Sequence, residues 1–313
     1  MTILVTGGAG FIGSHVVDAY LAAGFSVAVV DDLSTGRREN VNPQARFYQV
    51  DIRDKSALSE VFSRERPRYV NHHAAHINLR HSVEDPLFDA SVNILGTLNV
   101  LELAREFGVE KIVFASTGGA LYGEVEELPV SEDYPPVPLS PYGVAKYAAE
   151  CYLRYYEAVW GIPYVALRYG NVYGPRQDPR GEAGVVAIFS ERILEGKPCV
   201  VFGDGTKTRD YVFVGDVARA NLLALSAPSG AYNIGTGKET SVLELVALFE
   251  RVAGRTVEVV FSEERKGEIS RIALSIEKAK NILAWEPQVS LEEGLAETFL
   301  WFAEEMRRES HGS

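Results

Sequence analysis

Tyr142 and Lys146 stand four residues apart in the segment Ser140-Pro141-Tyr142-Gly143-Val144-Ala145-Lys146. Serine followed by proline reads as a helix N-cap with proline at the first helical position, so the two side chains fall one turn apart on one face. A phenol ordinarily titrates near pH ~10. An ammonium beside it favours the phenolate and brings the phenol towards the working pH, which makes the tyrosine usable as a base. The Tyr-x-x-x-Lys spacing alone arises often by chance, and Tyr147, Tyr152 and Tyr155 show how rich in tyrosine this segment is. Its company gives it weight: a strand ending in Ser116-Thr117 precedes it, and a glycine fingerprint opens the chain.

That fingerprint is Thr6-Gly7-Gly8-Ala9-Gly10-Phe11-Ile12-Gly13. A strand ending in Thr6 and a helix beginning near Phe11 aim backbone N–H groups and the positive helix end at a pyrophosphate. Side chains at Gly7, Gly10 or Gly13 would hinder the tight turn, the approach of the phosphates and the packing of helix on strand. A second strand ends in Asp31, 18 residues beyond Gly13, the spacing of a Rossmann dinucleotide site. Asp31 is expected to accept hydrogen bonds from the adenosine ribose and to repel a 2′-phosphate, which favours NAD over NADP. Arg37 and Arg38 are the counter-signal and read as solvated loop residues. Asp51 and Ile52 close the next strand, where a carboxylate and an apolar side chain suit the adenine amino group and face.

The elements that must position these residues follow from hydrophobic period. Apolar strand runs alternate with helical patterns through the first half, which predicts parallel strands joined by crossover helices. The expected strands are Ile3 to Val5, Val27 to Val30, Arg46 to Val50, Tyr69 to His72 and Lys111 to Ala115, with helices at Ser14 to Ala23, Lys55 to Arg64 and Asn93 to Phe107. The fold class is α/β: a doubly wound parallel Rossmann sheet with a smaller C-terminal substrate-binding α/β portion. Residues 1–168 are assigned to the cofactor-binding part, with 211–225 returning to it; 169–305 mainly build the second part, including the segment Tyr232 to Glu286, and 306–313 are a tail.

Composition narrows the classes. With 313 residues, 46% hydrophobic and 24% charged, the chain has room for a large core. A net charge of −12 argues against broad binding to nucleic acid or anionic membrane. Two cysteines, Cys151 and Cys199, fit neither a disulfide framework nor a zinc site and read as small buried hydrophobes in a reducing compartment. The first strand begins at Thr2, and no apolar run is read as long enough to span a bilayer, so a cytoplasmic, soluble protein is expected. His72, His73 and His76 look like a metal cluster only if helical; the strand at Tyr69-Val70 makes them strand-end histidines, and no metal is assigned. Tyr152, Tyr155, Tyr156 and Trp160 fall at helical spacing and read as core or dimer packing.

From Thr2 to about Phe302 the residues resemble the extended short-chain dehydrogenase/reductase family, most closely its UDP-glucose 4-epimerase branch. The likeness is carried by Thr6 to Gly13, Asp31 to Gly36, His72 to Ala75, Asn93 to Thr97, Ser116 to Gly123, Tyr142 to Lys146, Leu167 to Arg176, Phe202 to Val214 and Arg265 to Glu268. The resemblance implies that Tyr142 takes the proton of the sugar 4-hydroxyl as the C4 hydride moves to NAD. A 4-keto sugar then turns over and is reduced on its other face. It implies that Thr117 bridges the 4-hydroxyl and Tyr142, and that Lys146 also holds the nicotinamide ribose. It adds Phe11, Ile12, Asp32, Ser34, Thr35, Gly36, His73, Ala74, Ala75 and Asn93 to the cofactor site. For a UDP-sugar it implies Asn171 near the diphosphate, Val185 and Phe202 around uracil, Arg209 and Arg265 on the phosphates, and Tyr211 and Glu268 lining the nucleotide. A homodimer is implied by the family's paired long helices, and Ile272 stands near a size-setting position beside C2 of the sugar.

The segment Ser116 to Gly123 departs from the family pattern by one extra residue and a glycine pair. Dehydratases of the family carry an acid and a glutamate where Gly118 and Gly119 stand, and glycine moves no protons. Another NAD-dependent nucleotide-sugar epimerase, decarboxylase or dehydratase shares the same first oxidation, and a non-catalytic NAD-binding sensor shares the fold.

Overall fold

Leu4, Val70, Ile112 and Phe114 turn one way from their strands, and Ile3, Val5, Val27 and Val29 the other, all of them buried. Strands with apolar residues on both faces must be covered on both faces, which is the condition of a central parallel sheet between helical layers. The computed structural model describes residues 1–180, 184–264 and 269–311. Its first half runs β1 (Thr2–Thr6), α1 (Phe11–Ala22), β2 (Ser26–Asp31), β3 (Arg46–Gln49), α2 (Lys55–Glu65) and β4 (Tyr69–His72). Next come α3 (Leu79–Glu84), α4 (Pro86–Ala90), a π-helical turn (Ser91–Gly96), α5 (Thr97–Glu106), β5 (Lys111–Thr117), α6 (Pro141–Trp160) and β6 (Tyr164–Tyr169).

The second half holds β7 (Asn171–Tyr173), α7 (Val185–Leu194), β8 (Cys199–Phe202), β9 (Thr208–Arg209), β10 (Tyr211–Phe213) and α8 (Val214–Ala224). It ends with β11 (Gly230–Ile234), β12 (Thr240–Ser241), α9 (Val242–Ala253), β13 (Val259–Ser262) and α10 (Leu291–His311). Seven strands form the main sheet in the order β11-β6-β5-β4-β1-β2-β3, and every pairing in it is parallel. Strand order reverses between β1 and β4, which opens a crevice at their carboxyl ends, where ligands of doubly wound sheets lie. The second lobe carries three short pairs, β7 with β10, β8 with β13 and β9 with β12. Its core packs Phe189, Phe249 and Leu245 under Tyr173 and Phe213.

Five sequence expectations change. β11 lies at the edge of the main sheet beside β6, although Tyr232 was assigned to the smaller part; its pairing partner is set by the tertiary crossover and leaves no local mark. The helix expected from Asn93 begins at Pro86 and runs on through the π-helical turn to Glu106, capped by Asp85. It spans 21 residues with a mean hydropathy of 1.2 in its most apolar stretch, 44% of it buried, so one helix does reach membrane-spanning length and composition. Cys151 is exposed, while Cys199 is buried. The tail assigned to 306–313 is taken up by α10 as far as His311.

Candidate active site

The glycine turn leaves no room for side chains. A Cβ on Gly13 would fall 2.1 Å from the Gly7 carbonyl oxygen, and one on Gly7, whose φ is +71°, would fall 2.6 Å from the Ala74 nitrogen. The turn thus packs directly on the segment that follows β4. Gly10 is the N-cap of α1 and offers no side chain to cap it, so the first-turn N–H groups around Phe11 and Ile12 face the crevice mouth with the positive end of the helix.

Asp31, 7% exposed, closes β2. Its carboxylate accepts from the backbone N–H groups of Ala9 and Leu33, both at 2.9 Å, and this ties the glycine turn to the strand end. Burial pushes its pKa up, against these two hydrogen bonds. A Cβ on Gly36 would lie 2.7 Å from the same carboxylate. Asp32 holds the Ser34 hydroxyl and N–H in a tight turn that leads to Thr35. Asp51 pairs with Arg53 at 2.6 Å, and the Arg53 hydrogen bond holds its pKa low. Ile52 is buried and lies where a Cβ on Gly96 would meet it at 2.6 Å. Arg37 and Arg38 are not simply solvated: Arg37 lies 3.3 Å from Asp178, and Arg38 lies over the Phe47 ring.

The three histidines separate. His72 bridges the hydroxyls of Thr6 and Thr97 at 2.6 and 2.9 Å, and burial, with Lys146 nearby, pushes its pKa down to about 3. His76 faces Asp89 at 3.3 Å and packs edge-on to His81 and Phe88. Asn93, in the π-helical turn, clamps the loop by accepting from the His76 N–H and donating to the His76 carbonyl, both at 2.8 Å. His73 keeps a buried Nδ1 with no partner among the described residues, beside Ala74 and Ala75. The close-packed turn, the open helix end, the carboxylate at β2 and this orphaned nitrogen together suit a dinucleotide.

Ser140 caps α6 by accepting from the Gly143 N–H, with Pro141 at the first helical position. Gly143 lets the helix start press on the loop after β5, since a Cβ there would lie 2.5 Å from the Ala120 carbonyl oxygen. Lys146 is 4% exposed and donates to the Ala115 carbonyl at 2.9 Å, with its nitrogen over the Phe114 ring and 6.0 Å from the centre of the Tyr142 ring. Burial brings its pKa down to about 8, against the charges of Asp89 and Glu150. Tyr142 differs from the sequence expectation: burial, then the Asp89 charge, pushes its phenol up. Desolvation outweighs the ammonium, which donates to a β5 carbonyl and stands off from the phenol ring. Thr117 ends β5 and accepts from the Ala120 N–H at 3.2 Å. Gly118 packs against Leu274, where a Cβ would fall 2.5 Å from the leucine side chain, and Gly119 faces the Asn171 side chain.

On the second lobe, Asn171 and Tyr211 are register partners on β7 and β10; Tyr211 is 5% exposed. Val185 opens α7. Phe202 lines a cleft of about 430 Å³ with Gly203, Asp204, Lys207, Glu264 and Arg271. Arg209 lies on β9 and donates to the Thr208 carbonyl. Arg265 and Glu268 lie outside the described residues. Ile272 is buried with Tyr122, Val130 and Leu274.

Sequence reasoning missed the polar groups beneath the site. Glu150, one turn beyond Lys146, accepts from Ser116 at 2.6 Å and holds Arg168 through both oxygens at 3.0 and 2.7 Å. It also missed Asp89, 1% exposed with an Oδ2 that has no partner among the described residues, and Asp210, which takes N–H groups from Thr236, Gly237 and Leu274. An acid inside an apolar helix pattern was the only available signal for Glu150.

Residues 3–235 match the family model described as the NAD dependent epimerase/dehydratase family. A UDP-glucose 4-epimerase from Thermotoga maritima, solved with UDP-glucose, is 51% identical with a TM-score of 0.96, covering 98% of this chain and 100% of that one. One from Thermus thermophilus, solved with NAD, is 50% identical with a TM-score of 0.93, covering 97% and 99%. Among curated relatives, the UDP-glucose 4-epimerase of Mycolicibacterium smegmatis is 45% identical over 310 residues, covering 96% of this chain and 98% of its own.

Proposed function

Because the chain belongs to the NAD dependent epimerase/dehydratase family, we propose that it interconverts UDP-glucose and UDP-galactose by inversion at C4, with NAD as its cofactor. The observation that carries this is the full-length likeness, at 51% identity, to an epimerase solved with UDP-glucose. Bound NAD supplies an acceptor and donor of hydride at C4, so no net redox change results. In this reading the turn from Gly7 to Gly13 and α1 receive the pyrophosphate, and Asp31 the adenosine ribose. Tyr142 takes and returns the 4-hydroxyl proton, Thr117 orients that hydroxyl, and Lys146 adds positive charge to a water-poor site. Positive charge is what a buried phenol needs, since burial alone holds Tyr142 protonated. Asn171, Val185, Phe202, Arg209 and Tyr211 are assigned to the UDP end, with residues 169–305 mainly forming the sugar-nucleotide lobe. Gly118 and Gly119 disfavour dehydration, as neither carries an acid. Incubation with UDP-galactose should yield UDP-glucose without added reductant; turnover of UDP-N-acetylglucosamine or another nucleotide sugar in its place would reject the substrate assignment.

A cytoplasmic homodimer belongs to the same proposal. Leu87, Leu95, Val144, Tyr155, Val159 and Trp160 are each about half exposed or more, on the helix from Pro86 to Glu106 and on α6, which pack side by side. Apolar side chains gathered on two adjacent helices suit a second copy of the same surface. Light scattering should return twice the 34.4 kDa chain mass; a monomer at micromolar concentration would reject it. The net charge of −12 supports the absence of nucleic-acid and anionic-membrane partners.

A further inference from the structure

The hydrogen bonds behind His73 fix where its proton sits. Its Nε2 lies 3.2 Å from the Tyr169 hydroxyl, and the two rings stack at 20°. The same hydroxyl lies 2.8 Å from Asn221 Nδ2. The Asn221 amide has one orientation, because Nδ2 also donates to the Val217 carbonyl and Oδ1 accepts from Asn71 Nδ2, each at 2.8 Å. Asn221 therefore donates to Tyr169, and His73 Nε2 is the one acceptor among the described residues for the Tyr169 hydroxyl proton, which would otherwise be buried unmet. An imidazole that accepts at Nε2 carries its proton on Nδ1 when neutral. The ring is neutral: burial, then the Lys146 charge, pushes its pKa down to about 3.

This Nδ1–H is buried and unpartnered among the described residues. It belongs to the residue that follows β4, at the crevice where strand order reverses, and the backbone of that residue lies against Gly7. An unmet donor buried there is costly unless a ligand meets it. We propose that Asn221 and Tyr169 hold His73 as its Nδ1–H tautomer, and that His73 is a positioning residue donating to an acceptor oxygen of the bound dinucleotide. The proposal rests on the NAD-binding reading and adds to it a polar contact made by this side chain.

Nitrogen-15 histidine NMR of the holoenzyme tests the tautomer, with the His73 signals assigned by their loss in His73→Asn. Nδ1 should be protonated and Nε2 bare near neutral pH, and Tyr169→Phe should shift protons to Nε2. A ring protonated at Nε2 in the wild type, or an imidazolium, overturns the proposal. Exchange of bound NAD for radiolabelled NAD tests the contact. His73→Leu should release NAD about tenfold faster, the scale of one lost hydrogen bond, and His73→Asn, whose amide sits near the Nδ1 place, should restore most of it. Unchanged release in His73→Leu, or equal acceleration by Leu and Asn, assigns mere packing and overturns it. Failure of the wild type to bind NAD at all is a different result, and defeats the cofactor reading itself.

Discussion

Tyr142→Phe should lower the interconversion of UDP-galactose and UDP-glucose by a factor of about 10³ or more while the protein still carries NAD. General acid and base catalysis by one placed side chain is worth roughly 10²–10⁴ in rate, and in the proposed cycle one phenol takes the proton and returns it. The ring remains to fill its place at the start of α6, so folding and the glycine turn are untouched. Lys146 cannot substitute, because its nitrogen is bound to the Ala115 carbonyl. Thr117→Val should cost less, since Thr117 orients the hydroxyl without accepting its proton in the cycle. Turnover is read by chromatography of the two nucleotide sugars, and NAD content by absorbance after unfolding. A Tyr142→Phe enzyme within tenfold of wild type would place the base elsewhere; one that has lost its NAD would make Tyr142 a cofactor anchor.

Spacing along the chain marked Tyr142 and Lys146 because both belong to one helix, whose 3.6-residue period is visible in any window of sequence. Gly7, Gly10, Gly13 and Asp31 were legible for a related reason: they belong to one βαβ unit of fixed length. What spacing does not say is where a long side chain ends. Lys146 turns to β5 and leaves the phenol, a choice made by the packing of α6 on the sheet. The same limit hid β11, whose place beside β6 depends on how the chain returns from the second lobe. Glu150 and Arg168 were hidden too, since they meet across two elements and each alone reads as an ordinary charge. His73 was placed near the cofactor by likeness alone. Its proton position depends on Asn221, far along the chain on α8.

Glu150→Ala should lower stability by about 3–5 kcal/mol, the cost of stranding one charge of a buried pair. Arg168 is 5% exposed and Glu150 3%, so water does not replace the lost carboxylate. Against a total of roughly 5–15 kcal/mol for a folded protein, that is a large share. At about 2–4 °C per kcal/mol for a chain of this order of size, the melting temperature should drop on the order of 10 °C. Removing both charges is a different case: Glu150→Leu combined with Arg168→Met replaces the pair by apolar groups of similar bulk, which is often near neutral. That double variant still loses the partner of Ser116, which adjoins Thr117, and the Arg168 donor to Tyr122. If the pair serves mainly to fix the strand end and helix that carry Thr117 and Lys146, the double variant should melt near wild type yet turn over more slowly. Calorimetry and the epimerase assay on the same samples separate the two effects. Equal stability in Glu150→Ala and wild type would mean that Arg168 finds another partner, and that the pair beneath the site is dispensable to the fold.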